Sequence, residues 1–298
     1  MRDTTFEIAL TVDDIPSHGP TTQAWGRTLI CHRVLEAFSL NSLPPVVGFA
    51  NCKPAAKTPE QNQILHAWVQ AGNLLGNHTF RHSDIREVST KEFIDDIARN
   101  SRYLKRFEAT GSKRYFRFPF LLEGESEGKF DAVQAYLRQT EHIIAPVTVD
   151  FLDFLWNVPV AECADANNSS ALSALRHLYV ASAMQKILHA RKTSIALYGR
   201  NIKHIMLVHA GIATAHFLGD VIKACADISV TFTSLDRALC DPVYHNTPVF
   251  HTDSGRTFLH QSALVAGMDM SDHPSVPRSL IQSMSPSATN HSARAKSL

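Results

Sequence analysis

Two histidines four residues apart, His78 and His82 in Asn77-His78-Thr79-Phe80-Arg81-His82, are the residues best placed to do chemistry. On a helical turn that spacing puts both imidazoles on one face, close enough to share a metal ion. A divalent cation such as Zn²⁺ accepts imidazole nitrogen and carboxylate oxygen, and a catalytic site leaves one position open for water. The best available carboxylates are Asp13 and Asp14, because they end the apolar run Phe6 to Val12 and so sit at the mouth of a strand. The spacing is a weak signal alone. Sixteen histidines in 298 residues make roughly one such pair by chance. Its weight comes from what gathers around it.

The elements that must position these residues alternate. Apolar runs stopped by Asp, Pro or Asn read as strands at Phe6–Val12, Val46–Ala50, Leu74–Asn77, Tyr115–Phe118, His142–Val149, Ile202–Val208 and Ile228–Phe232. Between them, helical spacing runs from Thr22 to Leu40, Pro59 to Ala71, Thr90 to Phe107, Lys129 to Thr140, about Ser170 to Arg191, and Ala213 to Ala226, with a short helix from Leu235. Pro59 stands where a missing N–H costs least, and Ser89 with Glu92 has capping-box spacing. About seven strands alternating with helices imply parallel β-structure with helices outside, a (β/α) barrel if it closes. Active sites of barrels lie at the C-terminal strand ends. Asp13 and Asp14, His78, Arg117, Asp150 and Asp153, and His209 all fall at that end of successive strands. Asp150 reads equally well as the cap of the segment that follows it.

Composition bounds the rest. With 44% hydrophobic and 19% charged residues the chain can bury a sizeable core. A net charge of +1 gives no global attraction to nucleic acid or to an acidic membrane. Five cysteines, an odd number without CxxC spacing, indicate neither a disulfide framework nor a zinc ribbon, but buried thiols in a reducing compartment. The start runs directly into a strand without an apolar h-region, and no run is long enough to span a membrane. The expectation is a cytoplasmic protein, or one whose export leader precedes this start. Beyond about Asn246 periodicity fades. Ala263 to Ala266 could still pack on the barrel, and disorder is expected from about residue 270. The domain expectation is therefore a catalytic domain over 1–245 and a C-terminal extension over 246–298.

Taken together, Thr11-Val12-Asp13-Asp14, His78-Thr79-Phe80-Arg81-His82, Arg117-Phe118-Pro119-Phe120, Asp150-Phe151-Leu152-Asp153-Phe154 and Leu207-Val208-His209 resemble, in order, the five motifs of the polysaccharide deacetylase family, also called the NodB homology domain or carbohydrate esterase family 4. The resemblance covers residues 6 to 240 and implies a distorted (β/α) barrel. It implies Asp13 as catalytic base, Asp14, His78 and His82 as metal ligands, and Thr79 as a brace for their loop. It further implies Arg117 orienting the base, Asp153 holding a catalytic histidine, and His209 as general acid. The implied cofactor is a divalent metal, Zn²⁺ first, with Co²⁺ or Mn²⁺ as alternatives. Phe120 and Phe154 stand where the family carries other aromatics in the wall of the substrate groove. Phe120 is a candidate substrate contact; Trp25, Trp68 and Trp156 read first as core, with Trp156, just after the fourth motif, the exception that could also contact substrate.

The implied activity is hydrolysis of the amide C–N bond of an N-acetylated carbohydrate. Alternatives are hydrolysis of a small non-polymeric amide and a non-catalytic carbohydrate-binding relative. An HExxH-type peptidase is disfavoured, since Thr79 stands where its glutamate base would be. His18, His204, His216 and the tail histidines read as structural or solvated, and the oligomeric state is open.

Overall fold

A computed structural model describes residues 6–108, 111–124, 126–245 and 254–286. At its centre is β1 (Phe6–Ile15), buried along its whole length. Its apolar residues fall on both faces, as a parallel strand covered on both sides requires, and the polar ones include Asp13 and Asp14 near its end. On one side β1 pairs with β6 (His204–His209); it also pairs with β2 (Val47–Ala50) through its second half and β7 (Val230–Thr233) through its first. β3 (Leu74–Asn77), β4 (Arg114–Phe116) and β5 (His142–Ile144) extend the sheet beyond β2, and every pairing is parallel. The order is β5-β4-β3-β2-β1-β6, with β7 beside β1.

The chain after β5 closes this sheet. Ala145 N–H still bonds to Phe116 O of β4 (2.8 Å), while Thr148 and Val149 donate to Ile205 O and Val149 bridges Met206 of β6. The result is the distorted (β/α) barrel expected from the alternation, with 145–149 carrying the seam. The expected strand to Val149 is thus one regular piece followed by an irregular link, which Pro146 explains because it has no N–H to donate.

Helices α1 (Arg27–Leu40), α2 (Pro59–Gln70), α3 (Thr90–Leu104), α4 (Glu127–Gln139), α5 (Asn157–Asp165), α6 (Ser169–Tyr198), α7 (Ile212–Asp227) and α8 (Leu235–Leu239) follow along the chain. The Ser89–Glu92 capping box forms at the start of α3. Of the helix boundaries that differ from the sequence expectation, two shift most. α1 begins five residues late because Thr22 Oγ1 accepts Trp25 N–H in a turn, and Gly26 is the N-cap. α6 continues past Arg191 for two further turns: Ser194 Oγ folds back onto Arg191 O (2.9 Å), and Gly199 stops the helix at φ +67°.

The C-terminal extension is more ordered than its composition suggests. α9 (Phe258–Val265) buries Phe258, Leu259 and Ala263, and Phe258 N–H donates to Val147 O at 2.7 Å, beside the seam. Where disorder is expected, α10 (Arg278–Ser283) buries Ile281 in the main core, with Val276 and Met284 packed around it. Three apolar side chains suffice to dock so short a helix on an existing surface. Residues 246–253 and 287–298, where part of the expected disorder falls, lie outside the described residues. Among the described residues no helix is long and apolar enough to cross a membrane.

Candidate active site and metal centre

Asp13 and Asp14 are consecutive, and in a regular strand their side chains would point to opposite faces. The strand breaks that rule where it matters. Asp14 has φ +61°, and the pairing with β2 slips between Asp13 and Ile15. Both carboxylates therefore reach the same imidazole: Asp13 Oδ2 and Asp14 Oδ1 each lie 3.7 Å from His78 Nε2.

His78 and His82 do meet, but not on the helical turn their spacing suggests. They lie in the irregular loop after β3, with Thr79 at φ +58° and His82 at φ +57°. Side chains hold this backbone in place of a helical ladder. Asn77 Oδ1 accepts Thr79 N–H (2.9 Å), Thr79 Oγ1 accepts Ser83 N–H (3.2 Å), and Asp96 Oδ2 accepts from Arg81 N–H and Ser83 Oγ. The imidazole centroids are 4.9 Å apart, and His82 Nε2 is 3.3 Å from Asp14 Oδ1. His78 Nδ1 is 2.9 Å from Arg117 O, which sets Nδ1 as the donor and leaves Nε2 as a lone-pair ligand.

Electrostatics favour the ligand forms of these groups. Burial works to raise the Asp14 carboxyl, but the His18 hydrogen bond and the imidazoles of His82, His78 and His209 outweigh it and hold Asp14 well below the usual carboxylate range. Burial, against the pull of Asp14, lowers His82 to about 4, so its imidazole is neutral near pH 7. Asp14, His78 and His82 offer ligand atoms within 4.8 Å of one another. One carboxylate and two imidazoles suit a borderline cation of the Zn²⁺ type and leave positions for water and substrate.

Asp13 is held from the other side. Arg117 Nη1 donates to Asp13 Oδ1 and to Thr11 Oγ1, both at 2.7 Å, and Arg117 Nε donates to Ala145 O at 3.1 Å. The guanidinium lies over the Phe49 ring, 4.1 Å from its centroid. Oδ1 is thereby occupied, and Oδ2 is the oxygen facing His78.

At the end of β6, Asp153 fixes His209. Asp153 Oδ1 is 2.7 Å from His209 Nδ1, and Oδ2 accepts His209 N–H (2.8 Å) and Thr214 Oγ1 (2.9 Å). Burial opposes protonation of this imidazole, but Asp153 prevails and raises it to about 10. His209 is thus an imidazolium at neutral pH.

Two side chains correct the sequence reading. Trp156 is fully buried, packed on Phe151 and Tyr179, and is a core residue with no route to a substrate. The turn 153–156 that presents Asp153 to His209 drives the indole inward. His18, expected to be structural or solvated, lies with Nδ1 2.5 Å from Asp14 Oδ2 and its ring 4.6 Å from that of His209. With Asp14 and His209 it forms a second, overlapping trio of possible ligands. The signal is its position four residues after Asp14, which matters only once Asp14 adopts a left-handed conformation. Phe120 is 53% exposed with its ring 4.5 Å from His82, and Phe154 stands 5.4 Å from His209, so both edge the site. Asp150 accepts Leu152 N–H in the turn before Asp153 (2.7 Å), the capping alternative of the sequence reading.

Residues 2–138, a little under half of the chain, match the family model described as polysaccharide deacetylase. Over that stretch the chain is similar to the polysaccharide deacetylases. No curated protein matches it. Wild-type BA3943 from Bacillus anthracis, described as a CE4 family pseudoenzyme, is similar to this chain with a TM-score of 0.54 and 17% identity, over 79% of this chain and 66% of that one. A BA3943 mutant described as having restored enzymatic activity gives 0.54 and 18%, over 79% and 68%. PdaA from Bacillus subtilis, described as a family 4 carbohydrate esterase, gives 0.52 and 18%, over 79% and 81%. At these identities the likeness is one of fold, and the barrel described above is that fold.

Proposed function

We propose that the chain is a metal-dependent hydrolase of an amide C–N bond that removes the acetyl group from an N-acetylated carbohydrate. One observation carries this reading: a base-type carboxylate and an acid-type imidazolium converge on one candidate metal centre. Asp13 Oδ2 lies 3.7 Å from the ligand His78, and His209, raised to about 10, lies against His18, which itself holds the ligand Asp14.

Asp14, His78 and His82 would hold the cation, Zn²⁺ by the chemistry of the donor set. When bound, such a cation polarises a carbonyl and acidifies water. Asp13 Oδ2 accepts the proton of the attacking water, while Arg117 fixes the carboxylate through Oδ1. His209 delivers a proton from Nε2 to the departing amine, since Nδ1 is committed to Asp153. Phe120, exposed beside His82, offers an apolar face to a sugar ring or an acetyl methyl.

A second reading, a small non-polymeric amide as substrate, draws on the extension. Gly255 lies so tightly against Phe120 O that a Cβ there would clash, so the chain before α9 narrows the approach at Phe120. Acetate release from N-acetylglucosamine oligomers and from small acetamides tests both readings. Wild type and Asp14→Ala are compared with and without Zn²⁺ or Co²⁺. Metal-dependent release abolished by the substitution, from oligomers first, is the expected result. No release from any substrate by a protein carrying stoichiometric metal overturns the hydrolase reading.

A further inference from the structure

A second cluster of titratable side chains lies away from the proposed metal centre, between α6 and the C-terminal extension. Lys186 and His189 from α6, and His260 and His273 from the extension, line one small cavity together with Thr148, Asp150, Thr193 and Thr257. The rings of His189 and His273 are 4.8 Å apart, and those of His260 and His273 5.4 Å. Arg256 adds a further cation, with Nη1 3.1 Å from His260 Nε2, and its buried Nε has no partner among the described residues.

We propose that this cavity binds a small oxyanion, a carboxylate or phosphate group, through Lys186, His189, His260 and His273.

The hydrogen bonds already made define what is left to offer. His260 Nε2 accepts from Arg256, so its Nδ1 carries the proton. Lys186 Nζ lies 3.1 Å from His273 Nδ1 and 3.5 Å from its Nε2, so this ring accepts from the ammonium at the shorter contact. Lys186 keeps two further N–H bonds. The lining is thus rich in donors, and donors are what a multiply accepting oxyanion needs. A metal fits worse: these three histidines are not among the side-chain groups whose ligand atoms lie mutually within 4.8 Å, and an ammonium stands among them.

Charge points the same way. Burial lowers Lys186 against the pull of Asp150, burial and the neighbouring cations take His273 down to about 4, and His189 and His260 are lowered too. Burial is the first cause in each case, and an anion bound among these groups would oppose each of the shifts. Among the described residues Asp150 is the one acid in the lining, and burial raises its carboxyl. Asp272, beside His273, is engaged by Lys192 at 2.5 Å.

The test is calorimetric titration with inorganic phosphate of metal-loaded wild type, Lys186→Met and Lys186→Arg, and of Asp14→Ala, in which the proposed metal centre is disabled. Met keeps the buried stem of Lys186, and circular dichroism with a melting curve verifies each fold. The expected result is saturable binding of one equivalent, weakened at least tenfold by Lys186→Met, recovered in part by Lys186→Arg, and retained by Asp14→Ala. A second arm measures KM for acetamide substrates with and without a carboxylate. If Lys186→Met raises KM only for the acidic ones, the oxyanion is part of the substrate; unchanged KM values with the phosphate result intact identify a free ion. Absence of saturable binding, binding untouched by Lys186→Met, or binding lost in Asp14→Ala overturns the proposal. None of the binding outcomes depends on the hydrolase reading.

Discussion

His18 Nδ1 lies 2.5 Å from Asp14 Oδ2, while Asp14 Oδ1 faces His82 Nε2 at 3.3 Å. One oxygen of the carboxylate is thereby fixed by a donor so that the other is aimed at the histidine pair. Asn51 Nδ2, 2.8 Å from Oδ1, steadies the same group. Partners of this kind are worth about 10–100-fold in metal affinity. His18→Ala should weaken Zn²⁺ binding by that order in a chelator competition assay, with the fold intact by circular dichroism. An unchanged dissociation constant would show that Asp14 is held well enough without it.

Arg117 and Asp13 form a fully buried ion pair. Removing one partner of such a pair strands the other and costs about 3–5 kcal/mol. Arg117→Met should lower the denaturation midpoint accordingly. Asp13→Leu in the same chain should recover part of the loss, because an apolar pair leaves no stranded charge. A loss of no more than about 0.5 kcal/mol for Arg117→Met, the range of an ordinary surface change, would mean that Asp13 finds water and that the pair is not sealed as described.

The Asp153–His209 bond should be visible by NMR in the metal-free protein. His209 is raised to about 10 against an ordinary 6.5. The stability it contributes is fully present below about 6.5 and is lost as pH rises through its folded value. Asp153→Asn removes the carboxylate that causes the shift, so the His209 ring resonances should titrate much closer to the ordinary imidazole value. Titration at an unaltered pH in the variant would assign the shift to something other than Asp153.

His204 carries the opposite sign. It is buried in β6, with Nε2 3.1 Å from Asn201 Oδ1 and Nδ1 3.3 Å from Thr148 Oγ1, and burial lowers it to about 3. In the unfolded chain it protonates near 6.5, so the unfolded state binds more protons below that value and stability falls on acidification. At pH 4.5 the contribution is about 2–3 kcal/mol. The drop in unfolding free energy from pH 7 to 4.5 should therefore be smaller for His204→Asn than for wild type. Equal drops would locate the acid sensitivity in other histidines.

Much of this arrangement is legible in the order of residue types alone. The alternation of apolar runs with helical spacing reports burial on two faces, and that is a property of residue types. For the same reason Asp13, Asp14, His78, Arg117 and His209 can be placed at strand ends. What stays hidden depends on backbone conformations that residue types do not announce. His18 reaches Asp14 only because Asp14 has φ +61°, and His78 meets His82 through two left-handed residues where the spacing predicts a helical turn. Trp156 keeps a second reading as a groove residue beside that of core because it follows Asp153, and the turn that aims Asp153 at His209 points the indole into the core. The order at α10 escapes a reading of composition because Val276, Ile281 and Met284 are too few to signal a helix alone, though enough to dock on a core already built.

The barrel seam has a consequence for how the chain divides its labour. Asp13, Asp14, His78, His82 and Arg117 all precede the link 145–149, and Asp153 and His209 follow it. On the proposed reading, the groups that would grip a cation and take up a proton thus lie in one continuous stretch, and the group that would hand a proton back lies in another. A descendant that lost only its second stretch's imidazole would keep a charged, ordered, cation-retaining cavity and fall silent as a catalyst. The two capacities can therefore drift apart one substitution at a time.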